Sequence, residues 1–208
     1  MPDPGTLAVN GTGRASAVPD QAVVHLGVQV TRPTAAAARG EAATTMESIL
    51  AALLGAGIER ADIRTETVAL TAAYEYPPND PPRRTGYEVT NRLAVIVRRT
   101  DLVATVVDAA IAAGATTLDG LEFRLADPAP VEADALRAAL ADARAKAEAI
   151  AGTLGARVGE VRSVEESPPV RIPGPMLAAK MELADASTPI AAGSAEVVAT
   201  VRVVYGLV

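Results

Sequence analysis

Apolar and polar residues alternate along much of the first 125 residues, and two stretches with helical spacing interrupt the alternation. Apolar residues at every second position predict strands with one buried face, at 22–30, 68–76, 87–97 and 118–125. Apolar residues at intervals of three and four predict helices over 33–55 and 101–113. The order is therefore β-α-β-β-α-β, the ferredoxin-like order, with both helices on one face of an antiparallel or mixed sheet.

Further elements are predicted on either side of this core. A glycine-rich strand precedes it, at 7–17. An alanine-rich apolar stripe follows it and predicts a helix over 131–154. Two more strands are predicted after that helix, at 158–166 and 197–207. The fold class is accordingly α+β, with helices packed on the sheet.

The domain organisation follows from length and from one break in the pattern. At 208 residues the chain is interpreted as a single domain, 1–208, with sub-lobes 7–126 and 127–208. The stretch 167–193 interrupts the alternation with five prolines, which cannot donate to a strand ladder. We expect an exposed, mobile excursion there.

Composition excludes several classes of chemistry. The absence of cysteine excludes disulfides, thiolate metal sites and cysteine nucleophiles, and the single histidine, His25, excludes a multi-histidine metal site. The chain has no tryptophan and one phenylalanine, so a base-stacking surface is not expected. Its formal net charge of −6 disfavours nucleic acid as a partner.

The N-terminal residues and one apolar run bear on location. Residues 1–5 have no basic or apolar leader character, so a cytoplasmic protein is expected, or a periplasmic or envelope-associated one where a leader has been removed. The apolar run 102–118 is shorter than the ~20 residues of a spanning helix and contains Asp108. No integral membrane segment is therefore expected.

No group of residues predicts catalysis. His25 lies on the polar side of its strand, and the chain has no nucleophile-elbow string to supply a triad serine. Gly11 and Gly13 alternate within a strand, which favours close backbone packing over a phosphate loop. Asp119 and Glu122 face opposite sides of a strand, which argues against a carboxylate pair. We therefore predict no catalytic residue, no cofactor and no metal ligand.

Two groups of side chains are candidates for protein contacts. Tyr74, Tyr76 and Tyr87 flank the proline-rich loop between two predicted strands, and tyrosine is enriched at interfaces. They form either a recognition patch or the packing that anchors the loop. Met176 and Met181 lie in the predicted excursion and form either an adaptable contact surface or a strap on their own domain.

The final strand is predicted to be apolar on both faces, because Val204 lies opposite its core side. Either the excursion or a second subunit would cover the second face. Long strands also leave long edges, which must be covered, charged or paired. We therefore expect a homo-oligomer whose interface includes the final strand or the tyrosine hairpin, Tyr74, Tyr76 and Tyr87.

Short strings in a characteristic order run along almost the whole chain, about Leu7 to Leu207. They are Val9-Asn10-Gly11-Thr12-Gly13 with Pro19-Asp20, Gly57-Ile58 with Asp62-Ile63, Tyr74-Glu75-Tyr76 with Gly86-Tyr87, Ala143-Arg144 with Lys146-Ala147, and Thr188-Pro189-Ile190 with Gly193. Their order and spacing resemble the SIMPL-domain family. The resemblance implies no established enzymatic activity and supplies no catalytic residues. It implies relatives that are usually exported to the periplasm or envelope, some described as stress-related and some assembling into large homo-oligomers.

Two hypotheses follow. The first is a non-enzymatic α+β module that acts by self-association or by binding a protein partner, with the stress or envelope relation that the resemblance suggests. The second is a small-ligand-binding protein or an enzyme that uses carboxylate, arginine and tyrosine side chains in a cleft. A defined oligomer favours the first, and a monomer with a deep pocket favours the second.

Overall fold

The computed structural model describes residues 5–78, 80–173 and 192–208. Over these residues the chain is α+β, which confirms the predicted fold class. The strands and α-helices follow one another as β1 (Thr6–Ala17), β2 (Gln21–Arg32), α1 (Ala35–Gly55), β3 (Ile63–Glu75), β4 (Arg83–Val97), α2 (Val103–Ala112), β5 (Thr117–Arg124), α3 (Ala129–Thr153), β6 (Val158–Pro173) and β7 (Ala195–Leu207).

These elements belong to two compact units. The four-stranded unit is Asp20–Arg124, and the three-stranded unit combines residues up to Pro19 with the described residues from Leu125 onward. β1 lies in the three-stranded unit because it pairs along its whole length with β7. The sub-lobes 7–126 and 127–208 follow chain order and differ from these units in the placement of β1.

The sheet of the four-stranded unit has the order β3-β4-β2-β5, and all its neighbouring strands are antiparallel. This is the ferredoxin-like arrangement that the order of elements predicts. α1 packs against β2 and β4, and α2 packs against β2 and α1. The predicted alternation places Val24, Leu26 and Val28 of β2 in the core beneath these helices.

The ends of α1 and α2 follow from local sequence. Thr34 caps α1, its Oγ1 accepting a hydrogen bond of 3.2 Å from the backbone N–H of Ala37. Gly57 and Gly114 follow the two helices with φ of +88° and +105°, which glycine adopts without a Cβ clash. The sequence places both helices within two residues of their observed bounds.

The sheet of the three-stranded unit has the antiparallel order β1-β7-β6, and α3 packs against β1 and β7. β7 is thus the central strand and has no free edge. A second copy therefore cannot pair with an edge of the final strand, because β1 and β6 occupy both of its sides. An interface over the face of that strand that carries Val204 stays a prediction. Val204 lies half-buried in this central strand, opposite Ala8 on one side and Ser163 on the other.

β6 is longer than the sequence predicts. The alternation ends near Glu166, but the strand continues through Pro168 and Pro169 to Pro173. Among the described residues it pairs on one side only, and its register against β7 shifts between Ser167 and Val170, so the two prolines need not donate to the ladder. Residues 174–191 of the predicted excursion, which include Met176 and Met181, lie outside the described residues.

The apolar stripe of α3 divides by side-chain size. Its alanines are buried, at 135, 139, 143, 147 and 151. Leu140, Ile150 and Leu154 belong to the predicted stripe but remain exposed. Apart from Val131, the buried face of α3 thus consists of alanine methyl groups, which let the helix lie close to the strands below it.

Candidate functional site

The hairpin formed by β3 and β4 brings two of the three predicted tyrosines together. The ring centroids of Tyr74 and Tyr76 are 6.5 Å apart at an interplanar angle of 46°. Both rings are exposed, Tyr76 to 74%. Tyr87 is half-buried against the core, and the Arg84 guanidinium lies 5.2 Å from its ring centroid. The exposed aromatic surface is therefore the pair Tyr74 and Tyr76.

The loop beyond this pair forms an open depression of about 530 Å³. Its lining is Pro77, Asp80, Pro81, Pro82, Arg83 and Arg84. Arg83 donates a hydrogen bond of 2.8 Å to a carboxylate oxygen of Glu75, and Arg84 stacks on Tyr87. Both arginines thus have an intramolecular partner, and the depression is not an enclosed ligand pocket.

Further exposed apolar side chains lie along β3, next to the aromatic pair. β3 forms one edge of its sheet. Val68 and Leu70 lie opposite Asn91 and Val89 of β4, on the face that carries the helices. Both remain exposed, Val68 to 71%, because α1 covers β2 and β4. We call Val68, Leu70, Tyr74 and Tyr76 the β3 surface.

In the three-stranded unit, β6 is likewise an edge strand with exposed apolar side chains. It is the last strand of its sheet, and Val161 and Val164 are 53% and 52% exposed. They lie opposite Tyr205 and Val203 of β7, which α3 covers. Each unit thus has an edge strand with apolar side chains that the described helices leave exposed.

β1, the other edge of the three-stranded sheet, is covered. A Cβ on Gly13 would lie 2.1 Å from the carbonyl oxygen of Ala135, and a Cβ on Gly11 would lie 2.1 Å from that of Ala139. The close backbone packing predicted for these two glycines is confirmed. They allow α3 to lie directly on β1.

Two side chains of α3 also bind the backbone of β1. The N–H of Thr12 donates to Asp142 Oδ2 at 2.8 Å, and Lys146 Nζ donates to the carbonyl oxygen of Asn10 at 3.2 Å. Lys146 also donates to Asp142 at 2.6 Å. The Lys146 ammonium and the Thr12 N–H hold the pKa of Asp142 below its ordinary value. Backbone groups of β1 that β7 leaves unpaired are thereby satisfied.

His25 has an acidic partner that the sequence does not reveal. Its Nδ1 lies 2.9 Å from Glu66 Oε2, and Arg64 donates to the other carboxylate oxygen at 3.1 Å. Hydrogen bonds from His25 and Arg64 lower the pKa of Glu66. The alternation conceals this contact because the register of β3 shifts between Thr65 and Thr67.

The His25 pair lacks the rest of a catalytic triad. A carboxylate on Nδ1 is the orienting half of such a triad, but no hydroxyl of the described residues hydrogen-bonds to His25.

Asp119 forms an ion pair with Arg92, with 3.0 Å between Oδ2 and Nε. Over the described parts of the chain, no three His, Cys, Asp or Glu side chains are grouped to hold a metal ion. No described helix is long and apolar enough to cross a membrane.

These features define a class: an α+β protein with a ferredoxin-like unit and a three-stranded unit, each with an uncovered apolar edge strand. Comparison with known proteins identifies the family. A family model described as SIMPL, a protein of unknown function (DUF541), matches residues 7–205. The chain belongs to the SIMPL family, which confirms the resemblance.

Individual relatives share most of the chain. The "26 kDa periplasmic immunogenic protein" of Brucella melitensis is 32% identical over 97% of this chain and 84% of its own length. The "Uncharacterized protein YggE" of Escherichia coli K12 is 27% identical over 90% of this chain and 75% of its own. The protein of the same name in Edwardsiella ictaluri is 26% identical over 79% and 69%.

Proposed function

We propose that this chain is a non-enzymatic module that acts by associating with further copies of itself or with a protein partner. The observation that carries the proposal is the pair of uncovered edge strands, β3 and β6. Each has one sheet partner among the described residues. An edge strand presents unpaired N–H and C=O groups, which favour the addition of another strand.

The side chains of these edges support the same proposal. The β3 surface combines two exposed aliphatic residues with two exposed tyrosines in contact. Tyrosine and aliphatic side chains next to a free backbone edge supply both contact area and hydrogen-bonding groups. In our proposal the β3 surface is the protein-contact surface of the four-stranded unit.

The alternative, a ligand-binding cleft, has weaker support. The depression over the loop contains one carboxylate and two arginines, but it is open, and both arginines have partners within the chain. Ligand sites are typically concave and bury most of the ligand. The alternative predicts a monomer whose unfolding temperature rises with a small anionic ligand.

We also propose a periplasmic or envelope location rather than a cytoplasmic one. The Brucella melitensis relative, which aligns over almost the whole chain, carries the word periplasmic in its name. Fractionation of the native cells, with an antibody against this chain, tests the location. Recovery with periplasmic markers supports it, and recovery with cytoplasmic markers restores the expectation from the N-terminal residues.

Light scattering coupled to size-exclusion chromatography tests the proposed association. We expect a defined oligomer at micromolar concentration. The double variant Leu70→Thr/Tyr76→Ser should elute later because it loses apolar area from the β3 surface. Leu154→Ser is the matched control, since it removes an exposed leucine at the end of α3.

Three outcomes are distinguishable. A smaller particle for the double variant with an unchanged control supports the β3 surface. An unchanged particle for both variants removes the β3 surface from the proposal and leaves association through β6. A monomeric wild type at all accessible concentrations, and no protein partner in the native cells, would overturn the proposed function.

A further inference from the structure

The first half of β6 is complementary to its own reversed sequence. Residues 157–165 read Arg-Val-Gly-Glu-Val-Arg-Ser-Val-Glu. Counted outward from the central Val161, every residue has a counterpart of opposite charge or of similar size and polarity: Glu160 with Arg162, Gly159 with Ser163, Val158 with Val164, and Arg157 with Glu165.

Two identical strands that pair antiparallel run in opposite directions, so each sequence lies against its own reverse. When two copies of a strand pair about a two-fold axis, residues equally far from the axis lie opposite each other. We propose that the 157–165 segment pairs with the same segment of a second copy, antiparallel, with the axis at Val161. This inference rests on the proposed self-association and names its partner and register.

In this register, residues on one face of β6 lie opposite residues on the same face of the second copy. Val158, Val161 and Val164 lie opposite Leu207, Tyr205 and Val203 of β7. Opposite residues in a ladder share a face. The register of β6 against β7 shifts between Val158 and Val161 and again between Val161 and Ser163, so the three valines lie on one face, the side of α3. Pairing about Val161 therefore places Val161 against Val161 and Val158 against Val164, on the same face of both copies.

The charged residues of the segment lie on the other face. Glu165 is opposite Arg202 of β7, and the Arg162 guanidinium lies beside Gly206, where an added Cβ would be 3.3 Å from its Nε. In the proposed register Glu160 faces the partner's Arg162, and the partner's Glu160 faces Arg162. Opposite charges across a ladder stabilise the pair, and like charges destabilise it.

The structure also limits where such pairing can occur. Pro168 and Pro169 follow the segment and have no N–H to donate to a further strand. At the other edge of the sheet, α3 covers β1 through Gly11 and Gly13. Within the described part of this sheet, the free edge that remains suitable is 157–167, and pairing there joins two sheets into one of six strands.

Charge reversal tests the register. Glu160→Arg alone places two Arg–Arg pairs at the interface, and Arg162→Glu alone places two Glu–Glu pairs there. We expect each single variant to raise the dimer Kd by at least about tenfold, since two attractive pairs become repulsive. The double variant Glu160→Arg/Arg162→Glu restores opposite charges and should return to the wild-type Kd.

Mixing the two single variants gives the sharpest result. A Glu160→Arg chain against an Arg162→Glu chain has only opposite charges across the axis. The mixture should therefore associate with near wild-type affinity, although neither variant does so alone. Analytical ultracentrifugation of each variant and of the equimolar mixture measures this, and far-ultraviolet circular dichroism confirms that each chain remains folded.

Matched controls reverse charges on the exposed face of α1, as Glu47→Arg and Arg39→Glu. Their Kd should equal that of the wild type, alone and mixed. A wild type that associates while both single variants keep its Kd, or singles that weaken association without recovery on mixing, would overturn the β6 register and leave the proposed function standing. A wild type that never self-associates would overturn both the β6 register and the self-association on which it rests, and would leave the proposed function only with a protein partner.

Discussion

The two edge strands of the three-stranded sheet, β1 and β6, are both long and both pair with β7. Among the described residues, however, only β1 is covered. β1 has glycines at 11 and 13, so α3 lies on it and satisfies its backbone with Asp142 and Lys146. β6 keeps valines exposed along its length. Small residues facing a helix, rather than strand length or hydrophobicity, therefore decide which edge remains available for association.

The largest effect should come from adding a side-chain carbon where α3 lies directly against β1. Gly13→Ala places a Cβ 2.1 Å from the Ala135 carbonyl oxygen and 2.2 Å from the Ala139 nitrogen, so one backbone must shift. We expect the free energy of unfolding to fall by about 3 kcal/mol or more, as in severe overpacking. Chemical denaturation measures this change. A loss below about 1 kcal/mol would contradict the close packing of α3 on β1.

A smaller effect should come from the Asp142 contact. Because the folded-state pKa of Asp142 is lowered, its stabilisation is complete above the ordinary carboxyl range and is lost as the pH falls through the lowered pKa. Asp142→Asn should therefore lower the unfolding temperature at neutral pH, and the difference from wild type should shrink in acid.

The control for that titration is Asp134→Asn, which removes an exposed partner of Arg137 on the same helix. Exposed pairs of this kind contribute little, so its unfolding temperature should follow the wild type at every pH. A difference between Asp142→Asn and wild type that grows as the pH falls would contradict the assigned contact.

A small stabilisation should come from replacing a glycine of α3 by alanine at a position with space for a side chain. Apart from its chain neighbours and the adjacent backbone of α3, a Cβ at Gly152 would have no heavy atom of the described residues within 4 Å. Gly152→Ala should raise the free energy of unfolding by about 0.5–1 kcal/mol, because alanine has the higher helix propensity. Destabilisation by this variant would show that the end of α3 is more tightly packed than the contacts indicate.

The smallest effect on the folded monomer should come from β6. Val161→Thr changes an exposed side chain and retains β-branching, so unfolding should shift by no more than about 0.5 kcal/mol. Its dimer Kd should nevertheless rise in sedimentation experiments, because Val161 meets its own copy at the proposed axis. A marked loss of monomer stability would indicate that Val161 belongs to the core.

Alternation and helical spacing predict the strands and helices of 22–125 because each pattern is local. Strand pairing depends on residues that are distant in sequence. The central position of β7 and its pairing with β1 therefore do not follow from local sequence. The prediction that β6 ends before Pro168 and Pro169 would hold only for a strand that pairs on both sides, and β6 pairs with β7 alone among the described strands. The contact of His25 with Glu66 depends on a register shift that no period of two reveals.

Hydrogen exchange at two protein concentrations tests the contrast between the two edges most directly. Backbone amides of 157–165 should exchange more slowly in concentrated than in dilute protein, because the second copy pairs with them. Amides of 6–17 should be equally protected at both concentrations, because α3 covers β1 within one chain. Protection of 6–17 that rises with concentration, or an oligomer in which 157–165 stays unprotected, would contradict the account.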